Sequence, residues 1–263
     1  MGGVLSVVSR LGIGIPGLIF WVRGGHEREY ARAPLDVQYP DSEWIQMRTI
    51  VTIEVRGDDA LDFLQGQLTN DLRRLDHESE ILAAWCSPKG RVLWFGTVRK
   101  IESGYALSAP AETAESIVRR LTMFRFRARV EFDIVDEGQT VDAAFLVQNG
   151  YAFIGAAQSE QFTPHMLNFD LLDAISFDKG CYTGQEIVAR THYKGATRRR
   201  TFRFTSSAPV AAGDKVTLEG REVGEVLNVA DSELLAVVPV DKAGDALTVN
   251  GSDLERRPVP YLD

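Results

Sequence analysis

The chain has 263 residues, a formal net charge of −8, 44% hydrophobic residues and 25% charged residues. This composition is typical of a globular protein with one large or two modest domains, and the acidic balance argues against a general nucleic-acid-coating protein. The two cysteines, Cys86 and Cys181, exclude a disulfide scaffold and a cysteine-rich zinc cluster, and they are typical of a reducing compartment. We therefore predict a cytoplasmic protein with no metal site of its own.

The first 40 residues differ in pattern from the rest of the chain. An uncharged apolar run, residues 11–22, lies between Arg10 and Arg23. It is too short to span a bilayer as a helix, and no small-residue cleavage site follows it. A transit peptide stays an alternative, because the first acidic residue is Glu27. We favour a poorly ordered N-terminal extension over residues 1–40 and no membrane partner.

The chain from residue 47 onward alternates between strand and helix patterns. Residues 48–55 carry β-branched side chains at alternating positions and predict a strand. Asp58 is a suitable N-cap for a helix over residues 61–68. Residues 81–87 and 91–99 predict a β-hairpin, because the Ser-Pro-Lys-Gly sequence at their junction is typical of a tight turn.

The next segment predicts a strand, a helix and a basic strand. Residues 105–109 favour a short strand, and residues 110–123 place apolar side chains at helical spacing. Residues 124–130 alternate strictly between arginine and other residues, so we predict a strand whose arginines share one face. Together these elements predict an α+β sandwich with helices on one face of a mainly antiparallel sheet.

The second half of the chain predicts an irregular region followed by a small β domain. Residues 141–147 and 151–155 predict another pair of strands, and residues 156–200 are helical or irregular. Beyond Arg200, short strands alternate with glycine-containing turns, which predicts a C-terminal β-barrel. The strands predicted there are 201–205, 215–219, 222–229 and 234–240. The predicted domains are 1–40, 41–200 and 201–263.

The segment 179–190, Lys-Gly-Cys-Tyr-Thr-Gly-Gln-Glu-Ile-Val-Ala-Arg, is the strongest functional signal in the sequence. Thr183 and Glu186 have the spacing of a capping box, so we predict a helix that begins at Thr183. Cys181 would then lie just before a helix N-terminus, where the amides and the helix dipole favour a thiolate. Lys179 adds positive charge beside the thiol.

The two glycines of this segment, Gly180 and Gly184, permit unusual dihedral angles and close approach by a ligand. These features predict a reactive or metal-contacting thiol at Cys181. The alternative, a cysteine that acts as a small buried hydrophobic residue, is about as well supported by the residues alone. Cys86 lies within a predicted strand, so we predict that it is a small buried hydrophobic residue.

Two basic stretches contain no acidic residue, although the whole chain is acidic. The first contains Arg119, Arg120, Arg125, Arg127 and Arg129, and the second contains Arg190, Lys194, Arg198, Arg199, Arg200 and Arg203. Such segregation of charge favours an anionic ligand, either a phosphate backbone or a small molecule with carboxylates. The alternative is a solvated surface. Phe124 and Phe126 interleave with the first stretch, which an inward-facing strand would explain equally well.

The motif at residues 179–190 resembles the signature of the YgfZ family, and further segments match along residues 47–240. These segments are Phe63–Asp71 with the sequence Phe-Leu-Gln-Gly-Gln-Leu-Thr-Asn-Asp, Cys86–Arg91 in the hairpin turn, residues 168–177, residues 195–200 and the region 213–238. Members of the family are folate-binding proteins related to the glycine-cleavage T protein. They are implicated in the assembly or repair of iron–sulfur clusters.

The resemblance implies a T-protein-like folate-binding α/β sandwich followed by a small β-barrel, with tetrahydrofolate or a derivative as cofactor. It implies a role in maturing iron–sulfur client enzymes, including tRNA-modifying ones. Cys181 would be the functional thiol, with Lys179 as its electrostatic neighbour. Contacts to a ligand or partner would come from Gly180, Tyr182, Gly184, Gln185, Glu186 and Arg190, and the candidate folate-binding residues are Gln65, Asp71 and Arg127.

Two departures from the related proteins bear on activity. Leu93 and Trp94 occupy the positions where T-protein aminomethyltransferases carry an Asp pair, and no carboxylate is present there to act as a general base. The segment 131–150, between the basic strand and the cysteine motif, is also shorter than the corresponding middle of the family. A tetrahydrofolate-dependent one-carbon transferase and a non-enzymatic tRNA- or protein-binding module stay as alternatives, although direct nucleic-acid binding is not favoured.

Overall fold

The structure is a computed structural model that describes residues 46–195 and 197–262. The predicted extension over residues 1–40 lies outside the described residues. The described chain forms a five-stranded sheet with helices and a closed six-stranded barrel. No helix among these residues has the length and apolar character needed to cross a membrane.

The five-stranded sheet is entirely antiparallel and has the strand order β2-β3-β4-β1-β5. Its strands are β1 (Met47–Arg56), β2 (Ile81–Cys86), β3 (Val92–Ile101), β4 (Gly104–Pro110) and β5 (Glu131–Asp142). The predicted hairpin is confirmed: β2 and β3 pair, and the amide of Gly90 donates to the carbonyl of Ser87 in the turn.

Two helices pack their apolar sides on this sheet. Helix α1 (Ala60–Gln65) is shorter than predicted, and helix α2 (Ala111–Phe124) agrees with the prediction. Asp59, rather than Asp58, occupies the N-cap position of α1, and no side chain caps this helix. The core contains Ile53, Leu64, Leu68, Trp85, Trp94, Leu107, Ile117 and Leu121. The core therefore lies between the helices and the sheet.

The predicted basic strand over residues 124–130 is wrong. Helix α2 continues to Phe124, and the chain then turns, with the amide of Ala128 donating to the carbonyl of Arg125. Phe126 has a φ of 46°, a left-handed conformation that does not occur in a β-strand. The arginines therefore do not share one strand face.

The predicted strands at 141–147 and 151–155 are also wrong. The segment after the turn forms β5, which pairs with β1, and is followed by helix α3 (Ala143–Gln148). Asp142 starts this helix, because its carboxylate accepts a hydrogen bond from the amide of Ala144. Ala143, Leu146 and Val147 are buried at helical spacing, which apolar content alone does not distinguish from a strand.

The predicted C-terminal barrel is confirmed, and two short strands complete it. Its strands are β6 (Arg199–Ser206), β7 (Lys215–Leu218), β8 (Arg221–Ala230), β9 (Glu233–Pro239), β10 (Leu247–Val249) and β11 (Ser252–Arg257). They close in the order β10-β11-β6-β9-β8-β7. The sequence pattern did not reveal β10 because three residues are too few for a recognisable alternation.

Polar contacts, one buried and one partly buried, join the barrel to the segment that leads to the cysteine motif. The guanidinium of Arg200 makes a bidentate ion pair with Asp170, at 2.9 and 2.8 Å. The side-chain amide of Asn168 donates to the carbonyl of Thr201 at 2.7 Å. These bonds fix the chain that enters the cysteine motif relative to β6.

Candidate functional site

The cysteine segment, residues 179–184, lies along the loop that follows α1. The amide of Thr183 donates to the carbonyl of Gly66 at 3.1 Å. Just upstream, the amide of Ser176 donates to the carbonyl of Thr69, and the hydroxyl of Thr69 donates to the carbonyl of Ala174. The residues before and within the segment are thus held by the backbone of Gly66 and by the backbone and side chain of Thr69.

Lys179 points into the protein. Its ammonium donates to the carbonyls of Leu68 and Asn70 at 2.7 and 2.8 Å and lies 5.3 Å from the ring centre of Tyr182. Burial lowers the pKa of Lys179 to about 8, while the charge of Asp71 opposes this shift. Lys179 therefore anchors the cysteine segment to the loop after α1.

Cys181 points outward and is exposed, whereas Tyr182 is buried. Burial raises the pKa of the Tyr182 phenol, so this side chain stays neutral. A Cβ atom at Gly180 would meet no heavy atom within 4 Å. The segment therefore presents an open thiol between two buried side chains, Lys179 and Tyr182, that fix its backbone.

Helix α4 (Gln185–Lys194) begins at the hairpin turn between β2 and β3. Gly184 is its N-cap residue with a φ of 82°, and a Cβ atom there would lie 2.5 Å from the carbonyl oxygen of Ser87. A Cβ atom at Gly90 would meet the side chain of Ile187 at 2.7 Å. The two glycines thus allow the helix and the turn to come into direct contact.

The predicted capping box is wrong. Helix α4 begins at Gln185, and no side chain caps it. The hydroxyl of Thr183 instead donates to the side-chain oxygen of Gln67 at 3.2 Å. Glu186 forms an exposed ion pair with Arg190 at 2.9 Å. Gln185, Glu186 and Arg190 therefore lie on the first two turns of α4. Glu186 and Arg190 are exposed there and are open to a partner.

Two predicted folate residues, Gln65 and Asp71, contact each other beside this segment. The amide of Gln65 donates to Asp71 at 2.6 Å, and its oxygen accepts from the backbone amide of Leu72. Burial alone would raise the pKa of Asp71, but hydrogen bonds from the Arg73 amide and Gln65, with the charge of Lys179, outweigh it and lower the pKa. Asp71 is therefore ionised, and its side chain is half-buried.

The third predicted folate residue, Arg127, is not brought to this pair. It is exposed in the turn after α2, and no hydrogen bond or ion pair joins it to Gln65 or Asp71. That turn is fixed near the start of α1, since Arg129 pairs with Asp59 at 3.2 Å. Gln65 lies at the opposite end of α1. The three residues therefore do not form one contact group.

The sequence did not reveal the part that Asn70 and Phe177 play around the segment. The amide of Asn70 donates to the carbonyls of Leu82 and Asp173 at 2.8 Å each, which joins β2 to the chain before the motif. The ring of Phe177 stacks on His192 of α4 at 3.7 Å between ring centres. Asn70 lies in the segment 63–71 that resembles the YgfZ family, which is the sequence feature that could have drawn attention to it. Its partners, Leu82 and Asp173, are visible only in the folded structure.

The positions of the missing Asp pair are apolar and buried. Leu93 and Trp94 belong to the core, and the indole of Trp94 donates to the carbonyl of Ser108 at 2.9 Å.

Across residues 46–195 and 197–262, no three or more His, Cys, Asp or Glu side chains cluster in an arrangement able to hold a metal ion.

Similarity to known proteins extends over most of the chain. A family model for the CAF17 C-terminal beta-barrel domain matches residues 198–260. The tRNA-modifying protein YgfZ of Serratia proteamaculans is 27% identical, with 82% of this chain and 92% of that protein covered. The chain is a relative of the YgfZ proteins. The Yersinia pestis YgfZ protein is 32% identical over a shorter match, covering 60% of this chain and 49% of that protein.

The relationship to YgfZ is accompanied by a shared fold with the T protein. The glycine cleavage system aminomethyltransferase T from Bartonella henselae superposes with a TM-score of 0.61 at 14% identity, covering 81% of this chain and 84% of that one. The predicted T-protein-like fold is therefore confirmed. The Serratia YgfZ match extends over 304 residues, more than the 263 present here, so that relative has segments without a counterpart in this chain.

Proposed function

We propose that this protein is a folate-linked factor that assists the assembly or repair of iron–sulfur clusters in client enzymes, including tRNA-modifying ones. The observation that carries the proposal is the outward thiol of Cys181 on a segment whose neighbouring side chains, Lys179 and Tyr182, are buried. The relatives named tRNA-modifying protein YgfZ support the link to tRNA modification.

The thiol of Cys181 is the group that meets the client. A thiolate is a soft ligand suited to iron and to sulfur chemistry, and the cluster is the cargo of the protein. Gly180 leaves the space beside the thiol open. Glu186 and Arg190 lie on the adjacent exposed turns of α4 and provide paired charges for recognition of the client surface.

The residues at Asp71 fit the pterin end of a folate. A pterin has adjacent N–H groups that can donate hydrogen bonds to a carboxylate, and Asp71 is an ionised carboxylate beside the ammonium of Lys179. Gln65 and Asp71 would hold this end. A bound tetrahydrofolate supplies a one-carbon carrier, whereas the chain's own residues bind and orient it.

Aminomethyl transfer is the less favoured activity. The carboxylates that would act as a general base are replaced by the buried side chains of Leu93 and Trp94. Turnover of an aminomethyl donor by the purified protein would restore this alternative.

Reconstitution of a client tests the role of Cys181. An apo enzyme with a [4Fe–4S] site is loaded anaerobically with the full chain, and cluster absorbance and client activity are followed. We expect Cys181→Ser to abolish the stimulation and Cys86→Ser, at the buried cysteine, to keep it. Equal stimulation by Cys181→Ser and the unchanged protein would remove the thiol from the mechanism.

Calorimetric titration of the full chain with tetrahydrofolate under anaerobic conditions tests the folate link. We expect saturable binding that Asp71→Asn weakens by about tenfold, because one charge-assisted hydrogen bond is lost. Absence of binding at several temperatures would remove folate from the proposal and leave the thiol experiment as a separate test.

A further inference from the structure

The turn after α2 presents an aromatic ring to solvent between arginines. Phe126 is 87% exposed, and Met123, on the last turn of α2, is 64% exposed. Residues 125–129 are named the Phe126 loop below. An exposed phenylalanine with a left-handed backbone, at a φ of 46°, has no packing role that explains it. We propose that the Phe126 loop is a contact surface for single-stranded RNA.

The two aromatic side chains of this region have opposite orientations. Phe124 packs its ring edge against Trp85 at 6.0 Å between ring centres, which fixes the end of α2. The backbone of Phe126 departs from the helical conformation and its ring projects outward. The core therefore holds the base of the loop while the second ring stays available.

The cations beside Phe126 are available to an anion. Neither Arg119 nor Arg127 has a hydrogen-bond or ion-pair partner within the part of the chain that the structure describes, and both are exposed. Arg125 donates to the carbonyl of Val130 alone. The nearby carboxylates, Asp58 and Asp59, are paired with Arg129. Arg119, Arg125, Arg127 and Arg129 together outnumber these two carboxylates, so this surface has an excess of positive charge in a chain of net charge −8.

An aromatic ring flanked by Arg125 and Arg127, which make no ion pair within the described residues, fits a single-stranded nucleic acid. Bases stack on exposed aromatic rings, and arginines bind the adjacent phosphates, without a requirement for sequence. An anionic membrane is the weaker fit, because Met123 and Phe126 provide little apolar area for insertion.

Two side chains, Trp85 and Gln67, connect the base of the loop to the cysteine segment through the interior of the protein. Trp85, which contacts Phe124, donates its indole N–H to Gln67 at 3.2 Å, and Gln67 accepts from Thr183 of the cysteine segment. The RNA surface is independent of the cluster role, since it uses neither the thiol nor folate.

Fluorescence anisotropy of the full chain with a labelled uridine oligonucleotide of roughly 12 nucleotides tests the proposal. We expect binding that weakens steeply between about 50 and about 200 mM salt. Phe126→Ala should reduce affinity about tenfold, and Phe126→Trp should retain it, because tryptophan still stacks. Arg127→Ala and Arg119→Ala should each lower the salt slope by about 0.7.

Arg99→Ala provides the matched control, since it removes an exposed arginine near the end of β3 and should leave affinity and slope unchanged. Equal loss in Arg99→Ala and Arg127→Ala would overturn the proposal, as would absence of RNA binding at low salt. Sedimentation with vesicles that contain phosphatidylserine tests whether the surface binds an anionic membrane instead of RNA. Vesicle binding that requires Phe126, without RNA binding, would assign the surface to a membrane instead.

Discussion

The ammonium of Lys179 donates to the backbone carbonyl of Leu68 at 2.7 Å, across a separation of 111 residues. A second bond to the carbonyl of Asn70 makes Lys179 the anchor between the cysteine segment and the loop after α1. Both carbonyls are acceptors that a buried apolar side chain could not satisfy. The position and the exposure of Cys181 therefore depend on a lysine two residues before it.

Replacement of Lys179 by methionine should destabilise the fold. The change leaves two buried carbonyls without a donor, so we expect the free energy of unfolding to fall by about 2–3 kcal/mol. Urea unfolding measures this change. Lys194→Met, at an exposed lysine on the last turn of α4, should change stability by less than about 0.5 kcal/mol. Equal stability of the two variants would show that the carbonyls find other partners.

Gly184 and Gly180 should respond in opposite ways to alanine. A Cβ atom at Gly184 would lie 2.5 Å from the carbonyl of Ser87, and the φ of 82° is unfavourable for alanine. We expect Gly184→Ala to lower stability by about 2–4 kcal/mol, and Gly180→Ala to change it by less than about 1 kcal/mol. Thermal melting compares the two. A stable Gly184→Ala variant would contradict the close contact between α4 and the hairpin turn.

The two thiols should differ strongly in reactivity. Cys181 is exposed, whereas burial raises the pKa of Cys86 to about 12 and excludes reagent from it. We expect an aromatic disulfide reagent to modify one thiol of the native protein and the second at least about 100-fold more slowly, or after denaturation. Cys181→Ser should remove the fast phase. A fast phase that survives in this variant would place Cys86 at the surface.

Glu80 should make stability depend on pH between about 4.5 and 7. Burial raises the pKa of Glu80 from 4.5 to about 7 in the folded state, against a hydrogen bond from Thr97 and the charge of Arg99, which lower it. The folded protein binds more protons than the unfolded chain in this interval, so stability falls as pH rises, by up to about 3 kcal/mol.

The control for this titration is Glu80→Gln, which keeps the shape of the side chain without its ionisation. The difference in unfolding free energy between the two proteins should change across the interval and be level above pH 7. A constant difference from pH 4.5 to 7 would mean that the carboxylate ionises as freely in the folded protein as in the unfolded chain.

The sequence alone predicted the elements that have a periodic pattern of side chains or a characteristic turn sequence. Alternating β-branched residues defined β1, helical spacing defined α2, and the turn sequence Ser-Pro-Lys-Gly defined the β2–β3 hairpin. The resemblance carried by residues 179–190 pointed to the relationship with YgfZ and the T-protein-like fold. These features depend on residues near each other in the chain.

Tertiary contacts decided the rest. The alternating arginines after α2 suited a strand, but the packing of Phe124 on Trp85 continues the helix and leaves Phe126 in a turn. Thr183 had capping-box spacing, yet its hydroxyl meets Gln67, a partner 116 residues away. The sequence by itself determined that Cys181 is the central residue of its motif. That its thiol faces outward and Lys179 inward follows from the carbonyls of Leu68 and Asn70, because only the folded chain brings those acceptors to the lysine.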